Sequence, residues 1–168
     1  MARSDIAPIL DRIDALAQEI NSFVPLDARS IQFRADLAGL LVVSIVATYE
    51  SCVKETLMGF AGRHHAQFHL FTQNHFRKLN SRISVSDLYK YARTFDNTTH
   101  TKFGVLMNKR KKKLQNYVGK DFTAAYEQLL NWRHDFAHAG VRHTTVEEAL
   151  KTHRLAKWVL LTFDDAFC

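Results

Sequence analysis

Apolar residues recur at three- and four-residue steps from the start of the chain. In "SDIAPILDRIDALAQEINSF", Ile6, Ile9, Leu10, Ile13, Leu16, Ala17 and Ile20 are separated by Asp11, Arg12 and Glu19, the signature of one buried helical face. Ser4 or Asp5 can cap this helix, Pro8 is tolerated in its first turn, and Pro25 marks the following connection. A second element runs from about Ser30 to Phe60 and is the most apolar part of the chain. Its "LLVVSIVATY" is β-branched enough for a buried strand. Charged flanks at Arg34, Asp36, Glu50, Lys54 and Glu55 carry it far beyond strand length, and no hairpin partner follows, so a helix is expected. A helix apolar on all sides belongs at the centre of a bundle.

"GRHHAQFHLFTQNHF", Gly62 to Phe76, is rich in histidine and aromatic residues. Ser84 or Ser86 can cap a helix through "SDLYKYARTF", whereas Asn97 to Lys120, with Gly104, Gly119 and the run "NKRKKK", is the least regular stretch. Asp121 can cap a helix over Phe122–Ala139, which Gly140 would end. Thr144 and Glu147 have capping-box spacing for a last helix reaching about Phe163. The pattern predicts an all-α, single-domain helical bundle over residues 1–168, with a long apolar central helix and no internal repeat.

Composition narrows the partners. A formal charge of +6 and a pI near 9.4 favour a polyanionic ligand. Cys52 and Cys168 lie far apart in no metal or redox spacing, which suits a reduced, cytoplasmic protein. The N-terminus meets Asp5 and Asp11 before any long apolar run, so no signal peptide is expected. "LAGLLVVSIVATY", Leu37 to Tyr49, falls short of the roughly 20 residues a bilayer span needs, and reads as core with no membrane partner.

Candidate chemistry concentrates in "NWRHDFAHAG", Asn131 to Gly140. On a helical wheel, Phe122, Tyr126, Leu129, Leu130, Phe136 and Ala137 trace an apolar stripe that Arg133 interrupts. A guanidinium facing a core is costly unless paired or open to a cleft. Beside it runs a polar stripe of Glu127, Asn131, His134 and His138. Arg133 and His138 stand about 140° apart at roughly 100° per residue, so they can line one cleft only if a second surface closes over them.

Arg133, a polar residue after it, three more residues and then His138 resemble the R-x4-6-H motif of the HEPN superfamily, small helical bundles that include many metal-independent ribonucleases. Tyr49, Glu50 and Lys54 on the apolar helix are similar to an E-x3-K pair of some HEPN toxins. The resemblance runs from about Ala35 to the C-terminus. It implies an HEPN-like fold, a homodimer with two motifs facing across a composite cleft, and no cofactor. It further implies RNA cleavage through the 2′-hydroxyl, leaving a 2′,3′-cyclic phosphate. His138 would exchange protons with the 2′-hydroxyl and the leaving oxygen, and Arg133 would hold the scissile phosphate. His134 and Asp135 would support His138 or the RNA, and Glu50 would pair with Arg133, with Lys54 alongside. A toxin or phage-defence effector, with an antitoxin or another defence protein as partner, is the biological setting implied.

Bland readings stand beside these. Arg133 can be a core arginine in a salt bridge, and His138 a helix-terminal histidine favoured by the macrodipole. The run Lys109, Arg110, Lys111, Lys112, Lys113 is either a solvated face or an RNA-backbone footprint. Phe68, Phe71 and Phe76 suit core or dimer interface more than base stacking, and the histidines at 64, 65, 69 and 75 suit satisfied or solvent-facing roles. "HDFAH" puts His134 and His138 at zinc-ligand spacing, with His143, Glu147 or Glu148 available as further ligands, so a zinc hydrolase is one rival function. A non-catalytic helical module binding a protein or nucleotide is the other.

Overall fold

The computed structural model describes residues 6–24, 27, 30–77, 79 and 82–168. Among them are seven helices and no strand: α1 (Ala7–Phe23), α2 (Ile31–His64), α3 (Ala66–Phe76), α4 (Val85–Phe95), α5 (Asn97–Val118), α6 (Phe122–Ala139) and α7 (Val146–Phe167). Ser4, Asp5 and Pro25 lie outside the described residues. Pro8 sits in the first turn of α1, where its missing N–H removes no helical bond.

Side chains close most of the other helix starts. The Ser84 hydroxyl accepts the Asp87 N–H at 3.2 Å, and the Asp121 carboxylate accepts the Thr123 N–H at 2.9 Å. His65 opens α3 by accepting the Gln67 N–H at 3.1 Å, and His69 reaches the Met58 carbonyl at 3.0 Å, so these histidines serve local structure. The cap of α7 is Thr145 rather than Thr144: its hydroxyl accepts the Glu148 N–H at 3.2 Å, which shifts the expected box by one residue. Gly140, at φ 63°, ends α6 in the left-handed conformation expected there.

Two expectations change. Asn97 to Val118 is a continuous helix, opened by Asp96, whose carboxylate accepts the Thr99 N–H at 3.2 Å, and closed by Gly119 at φ 67°. Thr99, Phe103 and Met107 bury one side of it, and this packing overrides the weak propensity of its polar sequence. The second change concerns α2, about 51 Å long at 1.5 Å per residue. It contains a window long and apolar enough, by length and composition, to cross a membrane. In the fold it is the central helix, with α1, α3, α6 and α7 packed on it.

Register along α2 positions everything else. Arg34 pairs with Glu147 at 2.5 Å, the Tyr49 hydroxyl meets His153 Nδ1 at 2.9 Å, and the Thr56 hydroxyl donates to Asp164 at 2.9 Å, so α2 and α7 run parallel. Helix α6 runs against both. Its Tyr126 ring stacks on Tyr49 with centroids 5.3 Å apart, and its Phe136 ring lies directly over Gly39. A Cβ at residue 39 would fall inside that ring, so glycine is what permits the approach. An aromatic cluster of Phe60, Phe76, Phe95, Phe103, Phe163 and Phe167 fills the opposite end. Phe76 is core as expected, Phe68 is half-buried, and Phe71 is exposed.

Candidate active site at the end of α6

The buried side of α6 is Phe122, Ala125, Tyr126, Leu129 and Trp132. Leu130 and Phe136 are half-buried and Ala137 is exposed. The core stripe is thus rotated toward Ala125 and Trp132 relative to the expected one, because α7 covers that flank as fully as α2 covers the other. Arg133 consequently occupies the shoulder of the stripe. It is half-buried on the side of α6 that adjoins α2, and forms no hydrogen bond or ion pair among the described residues. A charge placed so is reached by water and keeps its donors open.

His138 stands in the last turn of α6 and is exposed. Its ring lies 4.6 Å from that of His134, tilted by 52°. Arg133, His134 and His138 therefore form a cationic or titratable rim along α6. Its angular spread leaves it open on the side away from the protomer's own core.

Several expected companions sit elsewhere. Asp135 turns toward the α6–α7 connection and pairs with His143, Oδ2 to Nε2 at 3.0 Å, so it does not orient His138 within one protomer. With Tyr126 level with Tyr49 and Phe136 level with Gly39, position 133 lies level with about residue 42 of α2. Glu50 is then roughly 12 Å farther along the helix axis and Lys54 farther still. Both are half-buried, and no Glu50–Arg133 ion pair exists among the described residues. Glu127, in the expected polar stripe, instead accepts the Val85 N–H at 2.8 Å and anchors the start of α4. Arg142 and His143, just past Gly140, brace this end of the bundle: Arg142 pairs with Asp36 on α2. The basic "VRH" after the helix-ending glycine is the only sequence signal that could have marked them.

The basic run lies on α5, away from this rim. Its five residues do not act alike. Arg110 stacks 5.0 Å over the Trp158 ring and donates to Thr162 and to Asp165, both at 2.9 Å. Lys111 pairs with Asp121 at 2.6 Å. Lys109, Lys112 and Lys113 are exposed. Thr162 is about 24 Å along α7 from the Val146 end near which α6 finishes, so one protomer does not bring the run to Arg133 and His138.

For zinc, the ligands would have to converge. His134 and His138 face one way and the Asp135–His143 pair another, and among the described residues no group of three His, Cys, Asp or Glu side chains could hold a metal ion. What the rim offers is a guanidinium whose donors have no partner among the described residues and an exposed imidazole, a set suited to phosphate and proton transfer.

A family model described as RiboL-PSP-HEPN matches residues 7–168. No curated protein and no solved structure matches the chain.

Proposed function

The chain belongs to the RiboL-PSP-HEPN family, which points to an RNA-related, nuclease-like role, and from that premise we propose that it is a metal-independent endoribonuclease working as a homodimer. The observation that carries this reading is Arg133, half-buried without an ion-pair or hydrogen-bond partner among the described residues, five residues before the exposed His138. His138 takes the proton of a ribose 2′-hydroxyl, whose oxygen attacks the adjacent phosphorus. The bond from phosphorus to the 5′-oxygen breaks, that oxygen takes the proton from the His138 imidazolium, and the products are a 2′,3′-cyclic phosphate and a 5′-hydroxyl end. Histidine suits both proton steps because its ordinary range lies near neutrality. The Arg133 fork binds the non-bridging oxygens as their charge grows.

A second protomer supplies the missing wall. Phe33, Leu40 and Ala47 repeat every seven residues along α2 and are all exposed, the first two at 56%. The α6 side of that helix carries Arg133 at about the level of Val42, so a self-association through the stripe would set two rims against each other. In this reading a toxin or phage-defence effector acts in the cytoplasm and is held in check by an antitoxin or another defence protein.

The test is cleavage of RNA in excess chelator, with the new ends analysed for cyclic phosphate. Wild type is expected to cut and His138→Ala to leave the RNA intact. Equal cutting by both proteins, or activity lost on chelation, overturns the proposal. Intact RNA with wild type would instead favour a non-catalytic binding module.

A further inference from the structure

We propose that α5 carries a separate track for single-stranded RNA, in which Lys102, Lys109 and Lys113 contact successive phosphates and Tyr117 stacks on a base. The inference rests on the RNA-directed reading above, but not on cleavage. No acidic residue occurs between Asp96 and Asp121, so α5 has no carboxylate of its own to answer its cations. The fold disposes of two of them locally: Lys111 by Asp121, and Arg110 by Asp165 and the Trp158 face. Lys102, Lys109 and Lys113 have no ion pair among the described residues.

Those three lysines share one face of the helix, at i, i+7 and i+11, with half-buried Leu106 between them at i+4. With Arg110, Asp165 and Cys168 they line a groove of about 430 Å³ between α5 and the end of α7, four cations against one acidic side chain. Arg110 serves as its fixed base, since its terminal nitrogens already have partners on α7. One turn past Lys113, on the same face, Tyr117 is 82% exposed. A tyrosine so exposed contributes little to packing, while a free aromatic face beside a row of lysines is the arrangement that holds unpaired bases.

From Lys102 to Tyr117 the track is about 22 Å long, which suits a short single-stranded segment. It also has a direction. Lys102 begins beside the C-terminal end of α7, and Val118, next to Tyr117, shares a groove with Thr145 and Glu148 at the start of α7. A strand laid along α5 therefore runs toward the end of the bundle where the last turn of α6 carries His138. The track would hold a substrate's flank and leave bond-breaking to the rim on α6.

The experiment measures fluorescence anisotropy of a labelled short oligouridylate in a His138→Ala background, so that the probe stays whole. Lys102→Glu, Lys109→Glu and Lys113→Glu combined should weaken binding at least about tenfold, and lower the slope of log affinity against log salt by about 2. Tyr117→Ala alone should weaken it roughly fivefold or more with the slope unchanged. Matched reversals at exposed Arg12, Arg77 and Arg93 control for net charge, and circular dichroism confirms the folded helices. The proposal is overturned by unchanged affinity in the α5 variants, by equal losses in both charge-reversal sets, or by duplex RNA binding as tightly as single strand. Binding with the expected dependences, from a wild-type protein that cleaves no RNA, would overturn the ribonuclease reading and uphold the track.

Discussion

The Tyr49 hydroxyl and His153 Nδ1 meet at 2.9 Å in the middle of the bundle, joining α2 to α7 across 104 residues of chain. Both side chains are fully buried, and His153 Nε2 has no hydrogen-bond partner among the described residues. Burial, and then the neighbouring Lys157, lowers His153 to about 4, outweighing Asp14 and the Leu10 backbone, which act in the opposite direction. Between that value and the ordinary histidine range near 6.5 the unfolded chain binds the proton more readily than the folded one. The folded state's advantage is therefore complete above about pH 6.5 and shrinks as pH falls toward 4. Urea midpoints at pH 7 and pH 4 should show wild type losing on the order of 3 kcal/mol more than His153→Gln. An identical loss in both proteins would show that His153 takes up its proton as readily in the fold as in the unfolded chain.

Arg133 should not tolerate its nearest chemical substitute. Arg133→Lys keeps a charge but loses the planar fork, so RNA cleavage is expected to fall about a hundredfold or more. Because Arg133 sits on the shoulder of the buried stripe, its melting temperature should stay within a few degrees of wild type. Cleavage kinetics and thermal melts on the same samples separate the two effects, and wild-type activity in Arg133→Lys would remove arginine from the mechanism.

Gly39 is required for the approach of α6 to α2. Gly39→Ala forces its methyl into the Phe136 ring, so the ring or α6 must shift, at a cost of about 1–3 kcal/mol. Phe136→Leu in the same chain should restore part of that loss. Denaturant titration of the single and double variants gives the coupling directly, and strictly additive effects would contradict the packing.

The exposed heptad on α2 should decide the oligomeric state. Leu40→Glu places a charge in the middle of the Phe33–Leu40–Ala47 stripe. Sedimentation should show a dimeric wild type and a monomeric variant, with cleavage lost and the helical spectrum unchanged. A variant that remains dimeric would place the interface on another face.

The helices were legible wherever their causes are local. Asp121, Ser84 and Gly140 end or begin helices through bonds and dihedral angles within a few residues, and the apolar steps of α1 and α2 repeat within single turns. The R-x4-6-H spacing was legible for the same reason: it lies within five residues of one helix. Helix α5 was not, because what holds its polar sequence helical is the burial of Phe103 and Met107 against distant parts of the chain.

Tertiary structure alone decided which charges remain free. Arg110 and Lys111 look identical to Lys109 and Lys113 in a basic run, yet Asp165 and Asp121 neutralise the first pair and leave the second open. Asp135 sits beside His134 in sequence but faces His143, and Glu50 is placed by the register of α6 on α2 at the wrong height for Arg133. Side-chain type and helical phase are properties of a short segment. The partner of a charge depends on which segments meet, and that is settled only when the helices pack.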